Sequence, residues 1–533
     1  LTPRRYLFAD LRTQIKIIDP GFGEGVTGMS SVNTASQGEL RVAATVSNLF
    51  RVIPMPVVIG GSLILIYFLT LTANYFWDGI TFASQIEKAA NGQGRVDLLF
   101  HQNHLLYDSV GFVLYWGTRA TGLSVRALTV LQGANVLFGS VAIILFFQTA
   151  ERIMHRHAAV LSSMALGLSA LWWKLSTDAD SYVLAMLLIL LCFKNLLSPD
   201  PRWYKAGLAL AGALLIHEMA ALFFPAAIIA VFSRKDIRNK VLFSCGMGGL
   251  AWSIAIAVYY ACAALLYRVT DPLEVVRWAV SNPTQATLSL NPIAGILIIP
   301  RKNIEAFIGH DFALFNSRPR ISLSIIALAA IAAALALALK AARTVDLSLI
   351  ANCVRPRGPW RERWRSPELS LIVWIIAYVV FLMFWEPEDF YYPIFYMPAV
   401  VLLLGRVLSR YHLAATGSSV KSSAGIPFGP GALAVVTLAL FNLAFFIAPN
   451  MGPDSNRLIT AARAAGAEWN EGTVIYFANH NEADTTFQYF NHNTVWRRIS
   501  RASLGKIERQ MELDTSKGSS VWFNRGAMDL MDP

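Results

Sequence analysis

From about residue 52 to residue 448 the chain is a succession of apolar stretches, most of them near twenty residues long. A helix rises about 1.5 Å per residue, so about twenty apolar residues cross a hydrocarbon core of about 30 Å. Repetition of that length points to helices threaded through a bilayer, that is, an all-α polytopic membrane protein. Composition agrees. The 533 residues are 55% hydrophobic and 15% charged, too little charge to cover a soluble protein of this size. A net charge of +11 would suggest nucleic acid in a soluble chain. Here most Lys and Arg lie in short loops between spans, where they report topology, and no nucleic-acid partner is expected. Cys192, Cys245 and Cys262 lie in apolar segments and Cys353 in a basic loop, so no disulfide framework is expected.

Residues 1–51 are polar and carry Arg4, Arg5, Arg12, Lys16, Arg41 and Arg51, which reads as a cytoplasmic leader. The first apolar segment starts only after them, is long and lacks a small-residue cleavage site, so no cleavable signal peptide is expected. The first span covers roughly 52–73, followed by an external stretch, 74–125. Within it, 80–90 and 105–116 are predicted interfacial helices; 105–116 is too short to cross and contains Asp108. Spans follow at about 127–149, 159–175 and 181–197, which puts ERIMHRHA (151–158) and PDPRWYK (199–205) in the cytoplasm. Counting 105–116 as a span would reverse both basic loops. Residues 206–232 are predicted to be two half-helices meeting near His217 and Glu218. This keeps SRKDIRNK (233–240) inside, and Pro225 disfavours an unbroken helix. Further spans at about 241–266, 321–340, 368–385, 393–408 and 430–448 give about eleven membrane-embedded helices in a 52–448 module. The basic loop 340–365 faces inside, and 267–320 and the acidic 385–392 face outside. Residues 449–533 alternate apolar and polar in VIYFA (474–478) and SVWF (520–523), which predicts a small extracytoplasmic α/β domain.

This topology gathers the polar intruders at one membrane face, where uncompensated charge is costly and a reaction site is the natural reading. Asp78, in YFWDG just after the first span, suits a base acting on an acceptor hydroxyl or amide; an interfacial cap beside Trp77 is the alternative. His101 and His104 lie three apart, with Tyr107 three further on. They suit substrate or phosphate contact, or simple packing, and are a weak metal signal without a third ligand. In STDADSY (176–182), Ser176, Thr177 or Asp178 could cap the next helix, but a cap explains one carboxylate and not both Asp178 and Asp180. His217 and Glu218 follow an apolar run, as a functional pair or a mutually satisfied one closing a hairpin. The 267–320 loop holds Arg268, Arg277, Arg301, Lys302, His310, Arg318 and Arg320. Such cations suit a lipid-linked phosphate, or equally the membrane's own headgroups.

With these residues laid out, the chain resembles the GT-C superfamily of integral-membrane glycosyltransferases, most closely the branch of protein O-mannosyltransferases and bacterial aminoarabinose transferases. Asp78 stands where that family has an essential Asp after its first span, ahead of two juxtamembrane helices. His101, His104 and Tyr107 stand where it often has a Pro- or His-containing motif. TDADSY matches its second external acidic site, with Asp180 the better match. LLIHEMAALFFPA matches its short helix pair, with His217 at the basic position, and WEPEDFYYPIFYMPA matches its late motif. The chain departs from aminoarabinose-type enzymes at that late turn, carrying Glu386, Glu388 and Asp389 where they carry a Lys. The resemblance covers roughly 52–410. It implies transfer of one sugar from a polyprenyl-phosphate donor to a protein, lipid or glycan acceptor at the outer face of a bacterial inner membrane. Asp78 would be the base, Asp180 a second catalytic carboxylate, and His217, Arg301, Lys302 and Arg318 the phosphate contacts, with Glu218 and Glu386 as further site candidates. No cofactor is required for that chemistry, although a divalent metal held by Asp78 and Asp180 stays open. The rival classes are a secondary transporter, which the lack of an evident internal repeat disfavours, and a lipid-linked polysaccharide ligase or polymerase.

Overall fold

Where no water is available, a helix is the structure that pairs every backbone N–H and C=O within its own segment. A computed structural model of the chain describes residues 54–93, 96–280, 292–309, 366–416, 429–478, 482–500 and 504–524, with short pieces near 325–336 and 527–528. Contacts group Pro56–Pro533 into one unit. Helix α1 (Met55–Leu69) is followed by α2 (Trp77–Ala90), α3 (Tyr107–Ala120) and α4 (Ala127–Ala150). α1 stops short of the predicted residue 73. Thr70 turns its hydroxyl back onto the Ile66 carbonyl at 2.7 Å and accepts the Trp173 indole N–H at 2.8 Å, so polar side chains take over where the apolar run ends.

Helices α2 and α3 have 14 residues each, or about 21 Å, too short to cross. α3 buries Tyr107, Asp108, Gly111 and Tyr115, and leaves Val113 65% and Trp116 63% exposed. This is the one-sided burial of a helix lying along an interface, as 105–116 was predicted to do. A Cβ on Gly111 would meet Ile86 and Leu131 at 2.7 Å, so glycine lets α3 close on both α2 and α4.

The next helices are α5 (Arg156–Gly167), α6 (Ala170–Ser176), α7 (Tyr182–Leu196), α8 (Trp203–Ile216), α9 (Phe224–Ser233) and α10 (Lys240–Leu266). Among the described residues α4, α10 and the stretch Pro430–Asn450 are long and apolar enough to cross a membrane, and α5 with α6 passes the same test as a pair bent by 64°, the shape of a broken span or a re-entrant loop. The bend frees backbone carbonyls, and buried side chains take them up. Tyr67 donates to the Gly167 carbonyl at 2.6 Å, and Asn442 to that of Leu168 at 2.8 Å. Residues 206–232 are broken at His217, as predicted: its backbone is extended and its Nδ1 accepts the Met219 N–H at 3.2 Å. Pro225 sits in the first turn of α9, where its missing N–H costs nothing.

Beyond α10 come α11 (Pro272–Ala279), α12 (Pro292–Ile308), α13 (Pro367–Leu382), α14 (Met397–Thr416) and α15 (Pro430–Asn442), the last continued by a π-turn, Leu443–Ile447. Among its described residues the segment 267–320 therefore carries two helices. The predicted 321–340 span and the basic loop 340–365 lie largely outside the described residues. Apolar side chains are left exposed along α10, such as Leu242 at 68%, Ile256 at 63% and Leu265 at 74%, a pattern that suits contact with lipid. The chain is a multi-pass membrane protein.

The C-terminal stretch folds as α16 (Arg457–Glu468), β1 (Val474–Phe477), α17 (Glu482–Phe490), β2 (Val495–Arg498), α18 (Leu504–Ser516) and β3 (Val521–Phe523). The strands form a parallel sheet in the order β2-β1-β3, with Val474 opposite both Val495 and Val521. β1 is buried throughout, as the central strand of a parallel sheet must be. This α/β unit is seated on the first membrane-proximal helices. Tyr489 donates to Glu87 Oε1 at 3.1 Å and accepts the Leu128 N–H at 3.2 Å. The Arg126 guanidinium stacks 4.0 Å over the Tyr489 ring while its Nε donates to Glu87 at 2.8 Å.

Candidate active site

Two amide side chains on α4 assemble the site. Gln132 donates to the carbonyls of Thr72 at 2.9 Å and Thr177 at 2.8 Å. Asn135 donates to those of Asp178 at 2.9 Å and Asp180 at 2.6 Å. The segment leading to Asp78 and the turn carrying Asp178 and Asp180 are thus pinned to the same helix. Gly79 completes the approach: a Cβ there would lie 2.9 Å from the Ala179 carbonyl oxygen, so only glycine lets the start of α2 rest on that turn. Asp78 occupies the first turn of α2, whose N-cap is Phe76. Asp78 is therefore not the cap of its helix, and a cap does not account for the two carboxylates of the 178–180 turn either. The N-cap of α7 is Ser181, with no side-chain capping bond.

The two carboxylates of that turn have different surroundings. Asp178 Oδ2 accepts from Lys174 Nζ at 2.5 Å and from the Phe76 N–H at 3.0 Å, and its Oδ1 accepts the Ala179 N–H at 2.8 Å. Asp180 Oδ1 accepts the Ser181 N–H at 2.6 Å, while its Oδ2 is buried without a hydrogen-bond partner among the described residues. Burial, followed by the neighbouring Asp78 and Asp178 charges, pushes the Asp180 carboxyl well above the usual range. Asp108 is pushed up likewise by burial and by Asp78.

The imidazoles close the other side. His104 Nδ1 lies 3.0 Å from Ser181 Oγ, and the His104 and His217 rings meet edge-on with centroids 4.5 Å apart. His101 stacks on His104 at 6.1 Å. Burial, with His217 and His101 beside it, holds His104 well below the ordinary histidine range, so the ring is neutral at pH 7. His217 uses Nδ1 as an acceptor, which assigns its proton to Nε2; that N–H is buried without a partner among the described residues. Tyr182 and Phe395 pack against the His217 ring, both at 4.9 Å. Tyr391 packs against Phe76 with the rings tilted by 46° and their centroids 4.1 Å apart, which brings the late motif onto the Asp78 segment. Glu386 sits in the left-handed region, at φ 41°, and its carboxylate accepts the Tyr392 hydroxyl at 3.2 Å. Asp389 caps the Tyr391 N–H at 2.8 Å, and burial pushes its carboxyl up to about 6.

Asp78, His101, His104, Tyr107, Asp178, Asp180 and His217 are thus brought together, with Glu386 at the adjoining turn. Glu218 is not paired with His217. It bears electrostatically on Tyr259 of α10 instead, because the extended residue at the break points neighbouring side chains apart. Arg301 and Lys302 both pair with Glu305, at 2.6 and 2.9 Å, one turn along α12. Arg301 is 78% exposed, whereas Lys302 bears on Asp389 at the edge of the site. Arg318 lies outside the described residues. Among the described residues no three His, Cys, Asp or Glu side chains converge as metal ligands. Sequence reasoning passed over Gln132, Asn135, Lys174 and Asp108 as site residues. The available signals were a lone Lys four residues before Asp178, in reach if helical, and a carboxylate inside an otherwise apolar helix.

A family model described as dolichyl-phosphate-mannose-protein mannosyltransferase matches residues 120–260, about a quarter of the chain. No curated protein matches the sequence. Among solved structures, ArnT from Cupriavidus metallidurans in the apo state superposes with a TM-score of 0.54 at 14% identity, covering 90% of this chain and 89% of ArnT. The same protein bound to undecaprenyl phosphate gives 0.52, again at 14% identity, over 87% and 89% of the two chains. At that identity the likeness speaks to fold. The chain has the architecture of the GT-C membrane glycosyltransferases that its sequence resembles.

Proposed function

We propose that this chain is a glycosyltransferase that moves a sugar from a polyprenyl-phosphate-linked donor to an acceptor at the extracytoplasmic face of a bacterial inner membrane. Its N-terminus lies in the cytoplasm and its C-terminal α/β unit outside. The observation that carries the reading is the convergence of Asp78, Asp180, His104 and His217 at the junction of α2, the 176–181 turn and the break after α8. The fold shared with ArnT, a protein that binds undecaprenyl phosphate, supports the donor class.

In this reading Asp78 takes the proton of the acceptor nucleophile as that atom attacks the anomeric carbon. The bond from the anomeric carbon to the phosphate oxygen breaks, and the lipid phosphate leaves with the electron pair. The buried His217 Nε2–H is a donor with no partner of its own among the described residues, suited to the developing phosphate charge. Lys302 and its neighbour Arg301 add cationic character at the far edge. Asp180, held toward its neutral form, donates or accepts a hydrogen bond to a sugar hydroxyl.

The test is turnover of undecaprenyl-phosphate-linked sugars by reconstituted protein, with an extracted membrane fraction as acceptor, read as released undecaprenyl phosphate. Asp78→Asn should abolish release while leaving expression and folding intact. Wild-type turnover in that variant would remove Asp78 as the base. Lack of turnover by the wild type across mannosyl, glucosyl and aminoarabinosyl donors would count against the donor class.

A further inference from the structure

Lys174 is buried to 5% exposure at the end of α6, beside the turn that carries Asp178 and Asp180. Removing an ammonium from water is costly unless a counter-charge and hydrogen-bond acceptors meet it, and here two acceptors do, one of them a carboxylate. Nζ donates to Asp178 Oδ2 at 2.5 Å and to the Asn74 carbonyl at 2.6 Å. The same Asp178 oxygen accepts the Phe76 N–H at 3.0 Å. One buried ion pair therefore grips the chain at Asn74 and Phe76, four and two residues before Asp78, and at Asp178, two residues before Asp180. Asn74 is held from its other side as well, by Asn450 and Asn456, at 2.8 and 2.9 Å.

We propose that Lys174 and Asp178 are a positioning unit for the transfer reaction. The pair fixes the Asp78 carboxylate against the Asp180 carboxyl by holding the backbone at Asn74 and Phe76 on one side and the 178–180 turn on the other. Neither residue touches the sugar or the acceptor. The inference rests on Asp78 being the base, and it goes beyond that reading by naming what holds the base in register.

The experiment compares wild type, Lys174→Met, Asp178→Asn and the Lys174→Met/Asp178→Asn double variant by detergent Tm, kcat, and KM for an undecaprenyl-phosphate sugar. Lys174→Met leaves a buried carboxylate unpaired and should lose Tm as well as activity. The double variant removes both charges at nearly constant volume, so its Tm should return toward wild type. A merely structural pair would then regain its activity with its stability. A positioning pair would not: kcat should stay about a hundredfold down, the scale of an ångström-sized misplacement, with KM within about threefold of wild type. Near-wild-type kcat in the folded double variant would overturn the proposal. So would failure of the double variant to fold, since the pair would then be a folding element. A loss confined to KM would also overturn it. The Asp78→Asn variant separates the two failures: full activity there removes the base and this proposal with it, whereas near-wild-type kcat in the double variant beside an inactive Asp78→Asn overturns the positioning role alone.

Discussion

The α/β unit rests on the membrane-proximal helices through several contacts, and Tyr489→Phe removes one buried hydroxyl from among them. The hydroxyl is buried, with Tyr489 4% exposed. It donates to the Glu87 carboxylate at 3.1 Å and accepts the Leu128 N–H at 3.2 Å. A hydrogen bond to a charged group contributes about 1.5 kcal/mol and a neutral one about 1 kcal/mol. Glu87 keeps the Arg126 Nε bond at 2.8 Å and the Ala127 N–H bond at 2.8 Å, so its charge is not stranded. Arg126 still stacks on the phenyl ring, 4.0 Å from its centroid, and donates to the Tyr489 carbonyl at 2.8 Å. Only the hydroxyl's own two bonds are lost. The docked state should weaken by about 2.5 kcal/mol, which raises the undocked population roughly 60-fold. Hydrogen exchange read by mass spectrometry in detergent should show the amides of 482–490 exchanging faster by about that factor. Those of α7 and α10 should be unchanged. Equal exchange in variant and wild type to within about threefold, or a uniform acceleration across all helices, would refute the idea that this contact seats the unit.

Other outcomes follow from the same contacts. Asp180→Asn and His217→Ala should each lower turnover of an undecaprenyl-phosphate sugar strongly with little change in Tm; unchanged kinetics in both would remove them from the site. Gly79→Ala places a Cβ 2.9 Å from the rigid Ala179 carbonyl. It should cost about 1–3 kcal/mol in stability and sharply reduce turnover; wild-type kinetics would show that the approach of α2 to the 178–180 turn is unimportant. Asp389 is raised from 3.8 to about 6, so its folded form holds a proton that the unfolded chain gives up. It favours the folded state fully below pH 4, and that contribution is lost as pH rises through 6. Asp389→Asn should therefore gain Tm over wild type at pH 7 and match it near pH 4. An equal difference at both pH values would refute this.

Much of the architecture was legible in the residues, for a physical reason. Apolar length is read directly by a bilayer, so α4, α10 and the 430–450 helix fall close to where the sequence puts them. Polar interruptions at such depth mark breaks, as at His217. The short reach and mixed faces of 80–90 and 105–116 announced helices that do not cross. The α/β character of the C-terminal unit came through from the patterns at 474–478 and 520–523, whereas the parallel pairing, with β1 buried at every residue, did not. The grouping of Asp78, Asp180, His104 and His217 at one end followed from a parity count of spans.

What the residues did not disclose was which polar group satisfies which. Asp178 and Asp180 are chemically alike and two residues apart. Only the folded contacts make one a partner of Lys174 and leave an oxygen of the other unmatched. Glu218 and His217 are adjacent along the chain yet serve different neighbours, because an extended residue turns successive side chains to opposite sides. Gln132 and Asn135 look like ordinary interruptions of an apolar helix until they are seen bonding carbonyls tens of residues away. Hydrophobic burial depends on the composition of a segment and can be read locally. Hydrogen-bond pairing depends on distances between segments, and those are set only when the helices pack.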